Sequence, residues 1–240
     1  LNYSQGTPGT NGLSGRLSGV VEFHELPSIL DSISLLQNSP SWEDNDQTRM
    51  QKWARDYLNW LETSKFGKNW ANSMSPPNIG TWYWAQVASL ALFTGDTAKA
   101  RGVVELAKTR LIENQINSVG VHVKEIERTK SFHYSLFNLR ALFVLGLVGK
   151  QVGVDLFNYT APSGGSIRKA LDFVAQYADP NKTWPYQEIA NDRDALMNQL
   201  LPLLKRANGV KIYNAAYQST IQKYLKSEIK IHRSKMYYEK

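Results

Sequence analysis

Two short segments hold side chains able to handle protons and anions. The first runs Pro77-Asn78-Ile79-Gly80-Thr81-Trp82-Tyr83-Trp84-Ala85-Gln86. Asn78 stands at the mouth of an apolar run that reads as a buried helix. A helix N-terminus offers free N–H groups and the positive end of its dipole, which suit a carboxylate. Trp82 or Trp84 offers a ring on which a sugar stacks. The plainer reading is that Asn78 caps the helix and the aromatics fill the core.

The second segment runs Glu125-Ile126-Glu127-Arg128-Thr129-Lys130-Ser131-Phe132-His133-Tyr134-Ser135-Leu136-Phe137-Asn138. Ionisable groups crowd the start of an otherwise apolar helix. Tyr134 and Asn138 are four apart and share a face. Phe132, Leu136, Leu139, Phe143 and Leu147 form another stripe, so Tyr134 is not required by the core. A guanidinium such as Arg128 beside a phenol favours the phenolate and makes Tyr134 a proton-transfer group. The plainer reading pairs Arg128 with Glu125 or Glu127 and leaves Tyr134 hydrogen-bonded in the core.

The elements that must position these groups read as helical almost throughout. The first 22 residues, rich in Gly, Ser, Thr and Asn, read as loop. Helices are expected over 26–36, 41–64, 79–93, 97–117, 131–152, 167–178, 187–206 and 213–226. The interval 65–77, with Gly, Ser, Asn and two prolines, reads as loop, as does 158–166. Residues 119–126 (VGVHVKEI) alternate and are the best strand candidate. The class is all-α, and the two helices that are apolar all round, 79–93 and 131–148, belong at the centre. The 240 residues read as a single α-helical domain.

Composition narrows the function. No run of 18 or more apolar residues occurs, so no bilayer span is expected, and the absence of cysteine removes disulfides and thiolate zinc sites. No metal is expected, since no His pair at i,i+4 and no EF-hand loop occurs; no phosphate loop or hydrolase elbow signals a cofactor or a serine triad. The net charge of +7 is C-terminal: nine Lys or Arg stand against two Glu after residue 200, and the rest is balanced. That stretch (201–240) reads as a solvated basic helical region; nucleic-acid binding through it is the weaker reading. Asn2, Asn158 and Asn181 open Asn-x-Ser/Thr triplets and favour a secreted, N-glycosylated protein. The chain starts at Leu1 without a visible signal peptide, so a processed or truncated product is expected.

PNIGTWYWAQVASLALFTGD and KEIERTKSFHYSLFNLRALF, in this order after LNYSQGTPGTNGLSGRLSGVVEF, resemble the alginate lyase family, which includes polysaccharide lyase families 5 and 38. The family's patterns are Asn-Asn-His-Gly-x-Trp-Tyr and Glu-Leu-x-Arg-Thr-x-Ser-x-His-Tyr-Ser-Leu-Phe-Asn-Leu. The Arg-to-Tyr interval is closer to family 38, the glucuronan lyase type. The resemblance implies an incomplete (α/α) toroid of helical hairpins with a long cleft, preceded in members by a further N-terminal helical region. It implies β-elimination on an acidic polyuronate, with Asn78, Arg128 and Tyr134 as catalytic residues. Trp82, His133, Arg16, Tyr3 and Gln5 are candidate substrate contacts, the last three in the segment 1–22 that the resemblance assigns to the cleft.

One departure matters. The family's first Asn falls on Pro77 and its His on Ile79, which neither donates a hydrogen bond nor accepts a proton. Syn elimination through Tyr134 stays open. His133 lies about 100° round the helix from Tyr134 and is a poor substitute; His24 and His122 sit in loops. A carbohydrate-binding protein on the same fold, catalytically weak or inactive, is the alternative.

Overall fold

A computed structural model describes residues 15–229 apart from Pro180, Asn191 and Tyr213, and beyond residue 222 only the backbone. A 3₁₀ segment, Leu17–Phe23, comes first. Then follow α1 (Leu26–Leu36), α2 (Asp44–Thr63), α3 (Lys65–Asn72), α4 (Asn78–Phe93), α5 (Thr97–Ala107), α6 (Glu113–Gln115), α7 (Ser131–Gln151), α8 (Ile167–Ala175), α9 (Arg193–Gly209) and α10 (Ala215–Ile229). A π-helical turn, Lys108–Ile112, joins α5 to α6 without a break. The fold is all-α, as the pattern predicts, and its successive hairpins have the arrangement of a helical toroid.

The two apolar helices are the centre. α4 is buried on every side from Gly80 to Ala91, and α7 carries Leu136, Leu139, Leu142, Phe143 and Leu145 at no exposure. They pack on each other and on α5. At about 25 cal/mol per Å² of apolar area, each fully buried Leu or Phe contributes about 1.5–3 kcal/mol, so this contact is the main source of stability. α7 is long and apolar enough to cross a membrane, yet here it is packed inside the molecule against α4, α5, α8 and α9.

Direction follows from the polar cross-links. Thr81 and Asn138, both near helix starts, meet at Gln115, so α4 and α7 run parallel. Gln199 near the start of α9 bonds His133 at the start of α7, so α9 runs parallel as well. The intervening helices return antiparallel. Three helix N-termini therefore gather at one end, where unsatisfied N–H groups and positive dipole ends accumulate.

Four sequence expectations need correction. Residues 65–72 form α3 rather than loop: Ser64 Oγ accepts the Gly67 N–H at 3.1 Å, and Phe66 and Trp70 pack inward four residues apart. Residues 119–126 form turns, with one isolated bridge between Ile116 and His122. No neighbouring strand is needed there, because the Asn117 side chain accepts the N–H groups of Val119 and Val121. Gly120 supplies the positive φ of +92° that this turn requires. Residues 187–190 are not helical; α9 begins at Arg193, with Asp192 Oδ1 accepting the Ala195 N–H at 3.0 Å. Lastly, Leu17–Phe23 is 3₁₀ helix where loop was expected, held by Trp70 Nε1 donating to the Leu17 carbonyl at 3.0 Å.

Candidate active site

Asn78 is the first residue of α4, after an extended Pro77. A side chain at Gly80 would meet Pro76, whose Cβ lies 2.1 Å from where a Cβ would stand, so only glycine lets this turn close. Asn78 is 1% exposed, and its environment is not solvent but Glu125. The Asn78 backbone N–H donates to Glu125 Oε1 and its Nδ2 to Oε2, each at 2.7 Å. The expectation that Asn78 itself caps the helix is thus replaced: a carboxylate 47 residues downstream takes the orphan Asn78 N–H and the Asn78 amide. Burial pushes the Glu125 carboxyl above its ordinary value; the Asn78 hydrogen bonds and the nearby Arg128 and Lys124 charges oppose this.

Glu125 belongs to a tight turn. Its N–H bonds the His122 carbonyl, and the Arg128 N–H bonds the Glu125 carbonyl at 3.1 Å. Three residues after the group that clasps Asn78, the chain therefore presents Arg128. Its guanidinium carbon stands 4.1 Å from the centroid of the Tyr134 ring, an ideal cation–π placement. The expected pairing of Arg128 with Glu125 or Glu127 gives way to this stack, with Glu125 committing both oxygens to Asn78. Tyr134 is half-buried in the first turn of α7, whereas Asn138, on the same face, is 1% exposed.

The space behind these groups is a buried polar ladder. Asn138 Nδ2 donates to Gln115 Oε1 and lies 2.9 Å from His122 Nδ1, while Gln115 Nε2 donates to Thr81 Oγ1 and the Pro76 carbonyl. His122 is fully enclosed, and burial pushes its imidazole down to about 4. It is a neutral structural histidine rather than a loop residue facing the cleft. His133 is half-buried beside Tyr134, their rings 5.2 Å apart and edge-on. Its Nδ1 is 3.0 Å from Gln199 Nε2, and burial pushes its imidazole below the ordinary value.

The remaining candidates fall elsewhere. Trp82 is 2% exposed and packs on Phe137 and His24, with the Arg140 guanidinium 5.9 Å from its ring. It is a core residue, and no ring face is left for a sugar. His24 is a neighbour of that cluster and bonds the Val21 carbonyl. Arg16 pairs with Glu22 at 3.1 Å on an exposed surface. Tyr3, Gln5 and the Asn2 triplet lie outside the described residues. Asn158 and Asn181 are exposed, and Asn158 Nδ2 donates to Asp155. Ile79, in the place of the family histidine, packs against the core.

Sequence reasoning missed Glu125 as the clamp on Asn78 and missed Glu188 altogether. Glu188 Oε2 accepts the N–H groups of Phe132 and His133 at the start of α7, at 3.0 and 3.1 Å. Both acids act across 47 residues or more, so no local spacing announces them. Among the described residues no cluster of His, Asp or Glu is suited to a metal ion.

The alginate lyase family model matches residues 1–184 of the chain. Among solved structures, the crystal structure of an alginate lyase from Bacteroides ovatus superposes with a TM-score of 0.83 and 27% identity. The match covers 93% of this chain and 58% of that one, so the chain spans less than two thirds of that protein's length. No curated protein matches the sequence.

Proposed function

The chain belongs to the alginate lyase family, and on that premise we propose that it cleaves an acidic polyuronate by β-elimination, with Tyr134, Arg128 and Asn78 at the reacting sugar. The observation that carries this reading is the turn 122–128, which clasps Asn78 with one side chain and sets Arg128 over Tyr134 with another. A hydrogen-bond donor, a fixed cation and a phenol are thereby joined at one end of two parallel helices.

Elimination needs the charge on the C6 carboxylate countered so that the C5 proton becomes acidic. Arg128 supplies the cation for this, and the α4 N-terminus at Asn78 adds its dipole. The Tyr134 oxygen takes the C5 proton, the C4–O4 bond breaks as the C4–C5 double bond forms, and the same phenol protonates the departing O4. This syn route needs one proton shuttle on one face of the ring and does not require the family histidine. Losing one charge-stabilising donor at Ile79 lowers the rate by about 10²–10³ relative to members that keep it. The interval between Arg128 and Tyr134 favours a glucuronan-type substrate, with alginate the other candidate. The exposed Asn158 and Asn181 triplets favour secretion.

A second reading is favoured by Asn78 and Ile79. Asn78 is enclosed and engaged by Glu125, and Ile79 is apolar. A site so short of free donors suits a protein that binds the polysaccharide with little or no turnover. Ultraviolet absorbance during incubation with glucuronan, alginate and mixed uronates separates the two, because elimination creates a conjugated double bond. A rise lost in Tyr134→Phe supports the lyase. A rise that persists in Tyr134→Phe overturns the mechanism, and a flat trace with calorimetric binding supports the binding protein.

A further inference from the structure

Between the start of α7 and the 177–197 stretch lies a cavity of about 360 Å³, which the mechanism does not use. Its volume is in the range of small-ligand sites, roughly 300–1,000 Å³. One wall is aromatic. Trp184 stacks on Phe132 with centroids 4.5 Å apart and planes 15° from parallel. Tyr177 and Tyr186 meet Trp184 edge-on at 4.9 and 5.4 Å. The indole Nε1 donates to Ser131 Oγ at 2.7 Å, so the wall is locked before any ligand arrives.

The other wall is cationic. Lys182 and Arg193 line the cavity, and both are exposed. Lys182 Nζ reaches Gln176 Oε1 at 3.3 Å, and Arg193 donates to the Ala178 carbonyl. Each keeps further donors, and neither is paired with a carboxylate among the described residues. The one acid lining the cavity, Glu188, already accepts from Phe132, His133 and Ala190. A rigid aromatic face with two cations lacking acidic partners is complementary to a sugar ring that carries an anion.

The cavity is tied to the proposed catalytic turn. Phe132 precedes Tyr134 by two residues, and Glu188 holds the N–H of His133, whose ring meets Tyr134 edge-on. The loop runs antiparallel to the segment after Arg128, with Ile189 N–H on the Thr129 carbonyl at 3.0 Å.

The geometry points to a second subsite: one uronate residue of the bound chain sits against Tyr186 and Trp184, its carboxylate on Lys182 and Arg193. This rests on the reading of the protein as one that handles polyuronates.

The test is calorimetry with uronate oligomers from disaccharide to hexasaccharide, and with the carboxyl-reduced, neutral hexasaccharide. The intact chain is compared with Lys182→Ala and Tyr186→Ala, with circular dichroism checking that each variant is folded. Lys182 is exposed, so its variant isolates charge without disturbing packing. Each substitution is expected to weaken hexasaccharide binding about tenfold, Lys182→Ala by losing a charge-assisted contact and Tyr186→Ala by losing the ring the sugar packs on. The loss shrinks for the disaccharide, and Lys182→Ala has a smaller effect on the neutral hexasaccharide than on the charged one. Unchanged hexasaccharide affinity in both variants, with the intact chain binding, overturns the subsite and leaves the proposed function standing. An equal loss on charged and neutral oligomers overturns the assignment to an acidic sugar. No binding of any polyuronate by the intact chain overturns both.

Discussion

At the start of α4, the Glu125 carboxylate takes the Asn78 N–H and side-chain amide, and the whole arrangement is closed to solvent. At the start of α7, the Glu188 carboxylate takes the N–H groups of Phe132 and His133, but the side chains around it, Tyr134 and His133 among them, stay half exposed. Two apolar, parallel helices thus use the same device, a distant acid on the positive end of the dipole. They differ in what the device leaves free. The α4 end is sealed and rigid and can act on a substrate mainly through its field. The α7 end keeps a phenol and an imidazole within reach of a ligand. In the proposed mechanism, proton transfer therefore belongs to α7, and α4 supplies alignment.

The sharpest test of this division is at Tyr134. In a protein that shows elimination, Tyr134→Phe should lower kcat by about 10²–10⁴, the range of general acid–base contributions, while stability measured by thermal melting hardly changes. An equal loss of stability would mean that the α7 end is structural too.

The two acids come next. Glu125→Ala strands two buried donors of Asn78 and should cost about 2–5 kcal/mol, with activity falling in parallel. Glu125→Gln should cost about half as much, since its amide oxygen still accepts one Asn78 donor while its NH₂ opposes the other. Glu188→Ala, whose surroundings admit water, should cost about 1 kcal/mol. Similar losses in urea unfolding would erase the contrast between the ends.

The buried ladder gives a pH test. His122 has a folded value near 4, below the ordinary 6.5, so the unfolded chain binds the proton more readily. Its neutral form supports the fold fully above pH 6.5, and this support is lost as pH falls toward 4. The loss reaches about 3 kcal/mol, from about 1.4 kcal/mol per unit. His122→Gln should flatten the acid limb of stability between those values; an unchanged limb would show that His122 does not set it. The smallest effect is expected at Arg128→Lys. This keeps the charge but loses the planar stack on Tyr134, worth about 0.5–1 kcal/mol, read as a few-fold change in kcat/KM.

Much of this molecule was legible in the residues. The period of the apolar positions gave eight of the helical stretches, and the all-round apolarity of 79–93 and 131–148 placed those helices at the centre. The errors have physical causes. Residues 65–72 contain Gly67 and stand before two prolines, but the Ser64 cap and the inward Phe66 and Trp70 outweigh the glycine. Residues 119–126 alternate through Val119, Val121 and Val123, but Val119 is exposed while Val121, His122 and Glu125 are buried in turns, so the alternation marks no sheet face. Trp82 offered a sugar platform on paper, and the same aromatic character put it in the core.

What the sequence determined by itself is most of the helices, the two that must be central, and the polar groups at their mouths, because those follow from local spacing and from the cost of exposing apolar surface. The juxtaposition of Arg128 and Tyr134 was one of two readings the sequence left open, and the structure chose it, with Glu125 committed to Asn78. Only the tertiary structure decided that Glu125 would enclose Asn78 and that Glu188 would hold the start of α7. Those contacts join residues some fifty positions apart. Their partners are chosen by how the helices pack, and packing depends on every side chain in the interface at once.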